Sequence, residues 1–111
     1  MGLVSDRAAV VTGAARGIGL AIATLLAEEG AAVVMGDIDT DGVAEAAARL
    51  AAQGHRTIAV TCDVTSEEAV ESLVDTCRRE FGSVDVMVNN AGITRDATMA
   101  KMTLDDFRTV V

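Results

Sequence analysis

Thr12-Gly13-Ala14-Ala15-Arg16-Gly17-Ile18-Gly19 decides how the rest of this sequence is read. Before it stands a short run rich in β-branched residues, AAVVT over residues 8–12. After it, Ile18, Ile22, Leu25 and Leu26 recur at helical spacing. Three glycines spaced GxxxGxG therefore occupy a strand–turn–helix junction, where a phosphate-binding turn belongs. Gly13 permits the tight turn, Gly17 lets backbone come close to a pyrophosphate, and Gly19 allows helix and strand to pack closely. The helix N-terminus adds free N–H groups that favour an anion. Without the flanking strand and helix, the same glycines would describe only a flexible turn.

The alternation continues along the chain. The segment 32–35 predicts a second strand, and Gly30 before it marks the left-handed end of the first helix. Val43, Ala47, Leu50 and Ala51 share one face of a second helix that Gly54 ends. Residues 57–60 predict a third strand. Thr65 and Glu68 have capping-box spacing ahead of a stripe of Val70, Leu73, Val74, Cys77 and Phe81, which Gly82 stops. Residues 84–88, VDVMV, predict a fourth strand, and a cap at Thr103 and Asp106 opens a further helix. The order βαβαβαβ plus a helix start predicts a Rossmann-like α/β domain: a parallel, doubly wound sheet, helices on both faces and almost wholly apolar strands. Residues 1–111 are expected to form a single dinucleotide-binding domain. The last apolar stripe begins near residue 103 and is cut at Val111, so the domain is expected to be truncated.

Composition excludes several functions. The chain has 111 residues, 9 Lys and Arg, 17 Asp and Glu, and a formal net charge of −8. No basic face is available to displace counterions from phosphates, so nucleic acid is not an expected partner. No apolar run reaches the roughly 20 residues of a membrane span, and no signal peptide is visible. Cys62 and Cys77 form no CxxC pair and have no histidine cluster beside them, so no metal site is expected. Buried free thiols in a cytoplasmic protein fit their apolar surroundings. His55, the single histidine, follows a helix-ending glycine and is expected in a surface loop.

Further candidates sit where parallel strands end, the edge at which open α/β sheets bind ligands. Asp37 closes the second strand and suits the hydroxyls of an adenosine ribose. An acid there repels a 2′-phosphate, which favours NAD over NADP. Arg16 argues for NADP, because a guanidinium in the turn can hold that phosphate. Asp37 has the greater weight, since it belongs beside the ribose itself, although Asp37, Asp39 and Asp41 also fit a plain acidic turn. Asp63 and Val64 follow the third strand, where Asp63 suits an adenine amino group or, equally, a capping role. Asn89, Asn90, Ala91 and Gly92 follow the fourth strand, where the small residues let backbone pass near a cofactor.

Taken together, TGxxxGIG, an Asp after the second strand, the Asp63-Val64 pair and NNAG resemble the short-chain dehydrogenase/reductase family. They occur in its order and at its spacing over essentially the whole chain. The stretch NNAGITRD, residues 89–96, is most similar to bacterial 3-oxoacyl-[acyl-carrier-protein] reductases. Those enzymes mostly use NADPH, a preference from which Asp37 departs, so an NAD-dependent alcohol or hydroxysteroid dehydrogenase stays open. The resemblance implies an oxidoreductase that interconverts a carbonyl and an alcohol, usually as a homo-oligomer. It implies cofactor contacts from Gly13, Arg16, Gly17, Ile18, Gly19, Asp37, Asp63, Val64, Asn90, Ala91 and Gly92.

The family's catalytic Tyr and Lys lie in a YxxxK motif, with a Ser and a helix Asn beside them. This chain has no Tyr, and its single lysine is Lys101. No catalytic residue is carried over. Met99 and Met102 around Lys101 are expected to pack a substrate-side or interface segment, and Arg95 and Asp96 to pair locally. The expected product is the cofactor-binding half of such an enzyme, inactive alone. The alternatives are a non-catalytic dinucleotide-binding fragment and a non-functional truncation product.

Overall fold

A computed structural model describes residues 6–90. The order is β1 (Ala8–Thr12), α1 (Gly17–Glu28), β2 (Ala32–Asp37), α2 (Thr40–Ala52), β3 (Thr57–Thr61), α3 (Glu67–Phe81) and β4 (Val86–Asn89). The predicted helix at residues 103–111, Met99, Lys101, Met102, Arg95, Asp96, Ala91 and Gly92 lie outside the described residues.

All three described strand pairings are parallel, and the sheet order is β3-β2-β1-β4. The chain moves outward from β1 to β2 to β3, then crosses back to pair β4 on the other side of β1. Right-handed crossovers put helices on opposite faces when the direction of travel reverses. Accordingly Ala23 and Ala27 of α1 and Val43, Ala46, Ala47 and Leu50 of α2 pack with Ala9, Val11, Val33 and Met35 on one face. Val70, Leu73 and Cys77 of α3 pack with Ala8, Val10 and Val34 on the other. β1, in the middle, is buried at every position, as its unbroken apolar run requires.

Local chemistry sets the helix ends. Asp39 caps α2 by accepting from the Gly42 N–H at 3.0 Å. Glu67 and Glu68 in the first turn of α3, and Arg78 and Arg79 in its last, complement the helix dipole. The glycines expected to end the three helices, Gly30, Gly54 and Gly82, all have positive φ.

Several expected details differ. The cap of α3 is Ser66, which accepts from Ala69 N–H at 3.2 Å, and not Thr65. Thr65 is held one residue earlier, where its N–H and hydroxyl both donate to Asp63 Oδ1. Strand β4 begins at Val86 and not at residue 84, because Asp85 closes the start of β1 instead. The Asp85 carboxylate accepts from the Ala8 N–H at 2.9 Å, and its own N–H donates to the Ala8 carbonyl at 2.8 Å. In α1 the buried stripe is Gly19, Ala23 and Ala27, while Ile18 and Leu25 are 70% and 58% exposed. Small residues let the helix lie close to the sheet, and its bulky residues turn outward. In α2, Ala46 and not Ala51 completes the buried face.

Both cysteines are free and buried. Cys77 donates to the Ser83 carbonyl at 3.2 Å. Burial, and then the nearby Asp85 charge, push its thiol up to about 11 from an ordinary 9.0. The folded state thus holds its proton where the unfolded chain releases it. This contribution to stability is complete below pH 9 and is lost as pH rises from 9 to about 11. Because the chain has no Tyr, this window is free of phenol titration. Urea midpoints are expected to fall between pH 8.5 and 10.5, and to fall less in Cys77→Ala. An equal slope in both proteins would assign the alkaline loss to other groups.

Candidate functional site

The carboxyl ends of the four strands share one edge of the sheet, and the order reverses beside β1. That is the switch point at which open α/β sheets leave a crevice. Two loops are drawn together there. The Ala14 N–H donates to the Gly36 carbonyl at 3.1 Å. The Ala15 N–H donates to Asp37 Oδ2 at 3.0 Å, and the Asp39 N–H to Asp37 Oδ1 at 2.9 Å. Asp37 thus joins the glycine turn to the loop after β2. Two bonds leave part of a carboxylate's roughly four acceptor directions for a further donor.

The three turn glycines serve different needs. Gly13 and Gly17 have φ of 63° and 62°, the left-handed region. A Cβ on Gly17 would meet nothing within 4 Å, so its requirement is conformational. A Cβ on Gly19 would overlap the Gly13 carbonyl and stand 2.8 Å from Asn90 Nδ2. Its requirement is space. Helix α1 also has no side-chain cap and no acid in its first turn, whereas α2 and α3 have both. Its terminal N–H groups are left without the side-chain oxygen that the other two helices receive.

Thr12, which opens the glycine motif at the end of β1, is fully buried, and the motif alone gives it no role. Its hydroxyl donates to Asn89 Oδ1 at 2.9 Å and accepts from the Asn90 N–H at 2.9 Å. It thereby sets the start of the asparagine motif against the glycine turn. No buried side-chain nitrogen or oxygen among the described residues lacks a partner.

A cleft of about 160 Å³ opens at this edge, lined by Gly13, Asp37, Ile38, Cys62, Asp63 and Val64. Four of the sequence candidates, Gly13, Asp37, Asp63 and Val64, meet in it. Arg16 does not line it: this exposed guanidinium makes an ion pair with Asp39. Ile18 is also outside its lining and points to solvent. Ile38, 68% exposed, is a wall residue that alternation alone could not mark. The Asp63 carboxyl is held below its ordinary value by the hydroxyl and then the N–H of Thr65. It acts as a turn acid and lines the cleft at once. Burial and the Asp63 charge push the Cys62 thiol up, which keeps it protonated and poorly nucleophilic. No group of three or more possible metal ligands occurs among the described residues, and no described helix is long and apolar enough to cross a membrane.

A reversing parallel sheet with a glycine turn at its switch point defines an α/β domain of the Rossmann kind. The chain belongs to the short-chain dehydrogenase family, whose model matches residues 7–111. It is 55% identical over 89 residues to cis-4-hydroxycyclohexanecarboxylate dehydrogenase of Sinomonas cyclohexanicum, covering 80% of this chain and 35% of that protein. It is 40% identical over 112 residues to 3-oxoacyl-[acyl-carrier-protein] reductase of Synechocystis, covering 100% and 45%. Among solved structures it is similar to a short chain dehydrogenase from Mycobacterium smegmatis, with TM-score 0.79 and 42% identity over 84% of this chain and 40% of that one. The chain spans less than half the length of these relatives.

The turn geometry ranks two substitutions. Gly17→Ala is expected to cost about 1–2 kcal/mol, the penalty for a left-handed residue with a Cβ. Gly19→Ala is expected to cost more, because its methyl meets backbone rather than a movable side chain. Urea unfolding of the two variants checks this order, and a greater loss at Gly17 would contradict it.

Proposed function

We propose that residues 1–111 form the dinucleotide-binding domain of an NAD(P)-dependent oxidoreductase that interconverts a carbonyl and an alcohol, with NAD preferred. The observation that carries this reading is the uncapped N-terminus of α1, set over a glycine turn that Asp37 ties to the next strand. A side-chain cap at that place would compete with a pyrophosphate, and this helix has none. Gly13, Gly17 and Gly19 would hold the phosphates, with Arg16 and Ile18 at the rim. Asp37 would accept from the ribose hydroxyls. Asp63 and Val64 would flank the base, and Asn90, Ala91 and Gly92 would lie along the nicotinamide side. The bound dinucleotide supplies hydride chemistry; this chain's residues bind it, orient it and hold its ribose.

The resemblance of residues 89–96 favours a 3-oxoacyl thioester as substrate. The 3-oxoacyl reductase relative is named for that class, whereas the cis-4-hydroxycyclohexanecarboxylate dehydrogenase relative supports only the broader interconversion of an alcohol and a carbonyl. These 111 residues contain no Tyr, so the chain alone is proposed to bind nucleotide without turnover. Free buried thiols support a reducing, cytoplasmic setting. The complete enzyme is proposed to be a homo-oligomer.

Calorimetric titration of the chain with NADH and NADPH tests the cofactor reading. NADH is expected to bind at least about tenfold more tightly, a difference of ~1.4 kcal/mol. Asp37→Ser is expected to bring the two within about threefold, since it removes a carboxylate that opposes the 2′-phosphate. Tighter binding of NADPH by the unmodified chain would overturn the role given to Asp37.

A further inference from the structure

Asp39 has a place in the site that its sequence position does not reveal. Its Oδ1 accepts from Gly42 N–H and caps α2, while its Oδ2 takes the Arg16 guanidinium. Its N–H is one of the two donors that fix Asp37. Gly42 is also shaped to this carboxylate, because a Cβ there would collide with it. Asp39 is therefore a fixed, partly buried anion, with a side chain 35% exposed, whereas Arg16 is 76% exposed. Arg16 is a cation on a long stem drawn to an acid that is already in place. Holding the acid by a cap removes the acid's share of the entropy cost that weakens ordinary surface pairs.

We propose that Asp39 is a second determinant of nucleotide selectivity, acting by engaging Arg16 and so denying that guanidinium to a 2′-phosphate. This rests on the dinucleotide reading given above. The two acids then divide the work. Asp37 repels the phosphate at the ribose, and Asp39 neutralises the one cation of the glycine turn able to attract it. Planar guanidinium binds phosphate bidentately and strongly when free. An Arg in the turn, taken alone, suggests NADP; paired with Asp39 it does not oppose the preference set by Asp37.

The test uses adenosine 2′,5′-bisphosphate and 5′-AMP as calorimetric probes of the adenosine half of the site. Asp39→Asn keeps a side chain that caps helices as well as Asp but removes the charge. The affinity ratio of bisphosphate to 5′-AMP is expected to rise about threefold to fivefold over the unmodified chain, the range that release of an exposed ion pair permits. Asp39→Ser, also a capping residue, is expected to give the same shift, so a folding defect peculiar to one variant does not decide the result. Adding Arg16→Ala to Asp39→Asn is expected to abolish the gain, which assigns it to the released guanidinium. If 5′-AMP binds but the ratio does not move in either Asp39 variant, the role of Asp39 is overturned and the dinucleotide reading stands. A gain that persists without Arg16 would also overturn it. If no variant and not the unmodified chain binds either probe, the dinucleotide reading fails and this inference with it.

Discussion

The contact between the first turn of α1 and the end of β1 sets the geometry on which the other parts of the site depend. Gly19 lies so close to the Gly13 carbonyl that no Cβ fits between them. That approach is continued down the helix by Ala23 and Ala27, both buried against the sheet. A helix seated on small residues comes nearer to its strands than one seated on leucines, and its N–H groups are brought over the carboxyl edge. The same choice leaves Ile18 and Leu25 on the outside. Bulk is moved off the contact so that the helix end can reach the turn.

Around that contact the site is knitted by acids rather than by hydrophobic bulk. Asp37 ties the glycine turn to the loop after β2, and Asp39 ties that loop to α2 and to Arg16. Exposed ion pairs stabilise folds by little, with a median below about 1 kcal/mol. The Arg16–Asp39 pair matters here as a link between the glycine turn and the loop after β2. Asp63 repeats the pattern on a smaller scale, since Thr65 fixes its carboxylate while the residue still lines the cleft. Each acid has a structural bond, and Asp37 and Asp63 also line the cleft.

The element order and sheet type were legible in the sequence because strand and helix periods alternate cleanly, and glycine turns separate them. The membership of Gly13, Asp37, Asp63 and Val64 in one cleft was also legible, because parallel topology sends every strand end to one edge. Packing detail was not. Periodicity identifies apolar positions in α1 but cannot say that Gly and Ala would win the buried face over Ile18 and Leu25. The Thr65 and Glu68 spacing pointed one residue early, since Asp63 competes for Thr65 and leaves Ser66 to cap. Asp85 left its strand for a similar reason: it serves the exposed start of β1. Thr12 and the Asp39–Arg16 pair depend on contacts between segments far apart in sequence, which no local pattern encodes.

Thr12 gives the molecule a temporal order as well as a spatial one. Its two asparagine partners lie 77 and 78 positions further along the chain. The glycine turn, Asp37 and their mutual bonds belong to the first βαβ unit, which closes a short loop. The β1–β4 pairing closes a far longer one, and loop entropy opposes it until many contacts form together. The cleft lining, which runs from Gly13 to Val64, is therefore local and early, and only the contact of Thr12 with the asparagines waits for β4. Until β4 arrives, β1 has a bare edge and its threonine hydroxyl lacks these two asparagine partners. A newly made chain thus gathers the cleft residues before β4 is paired, and the open strand edge in that interval is where wrong pairings compete.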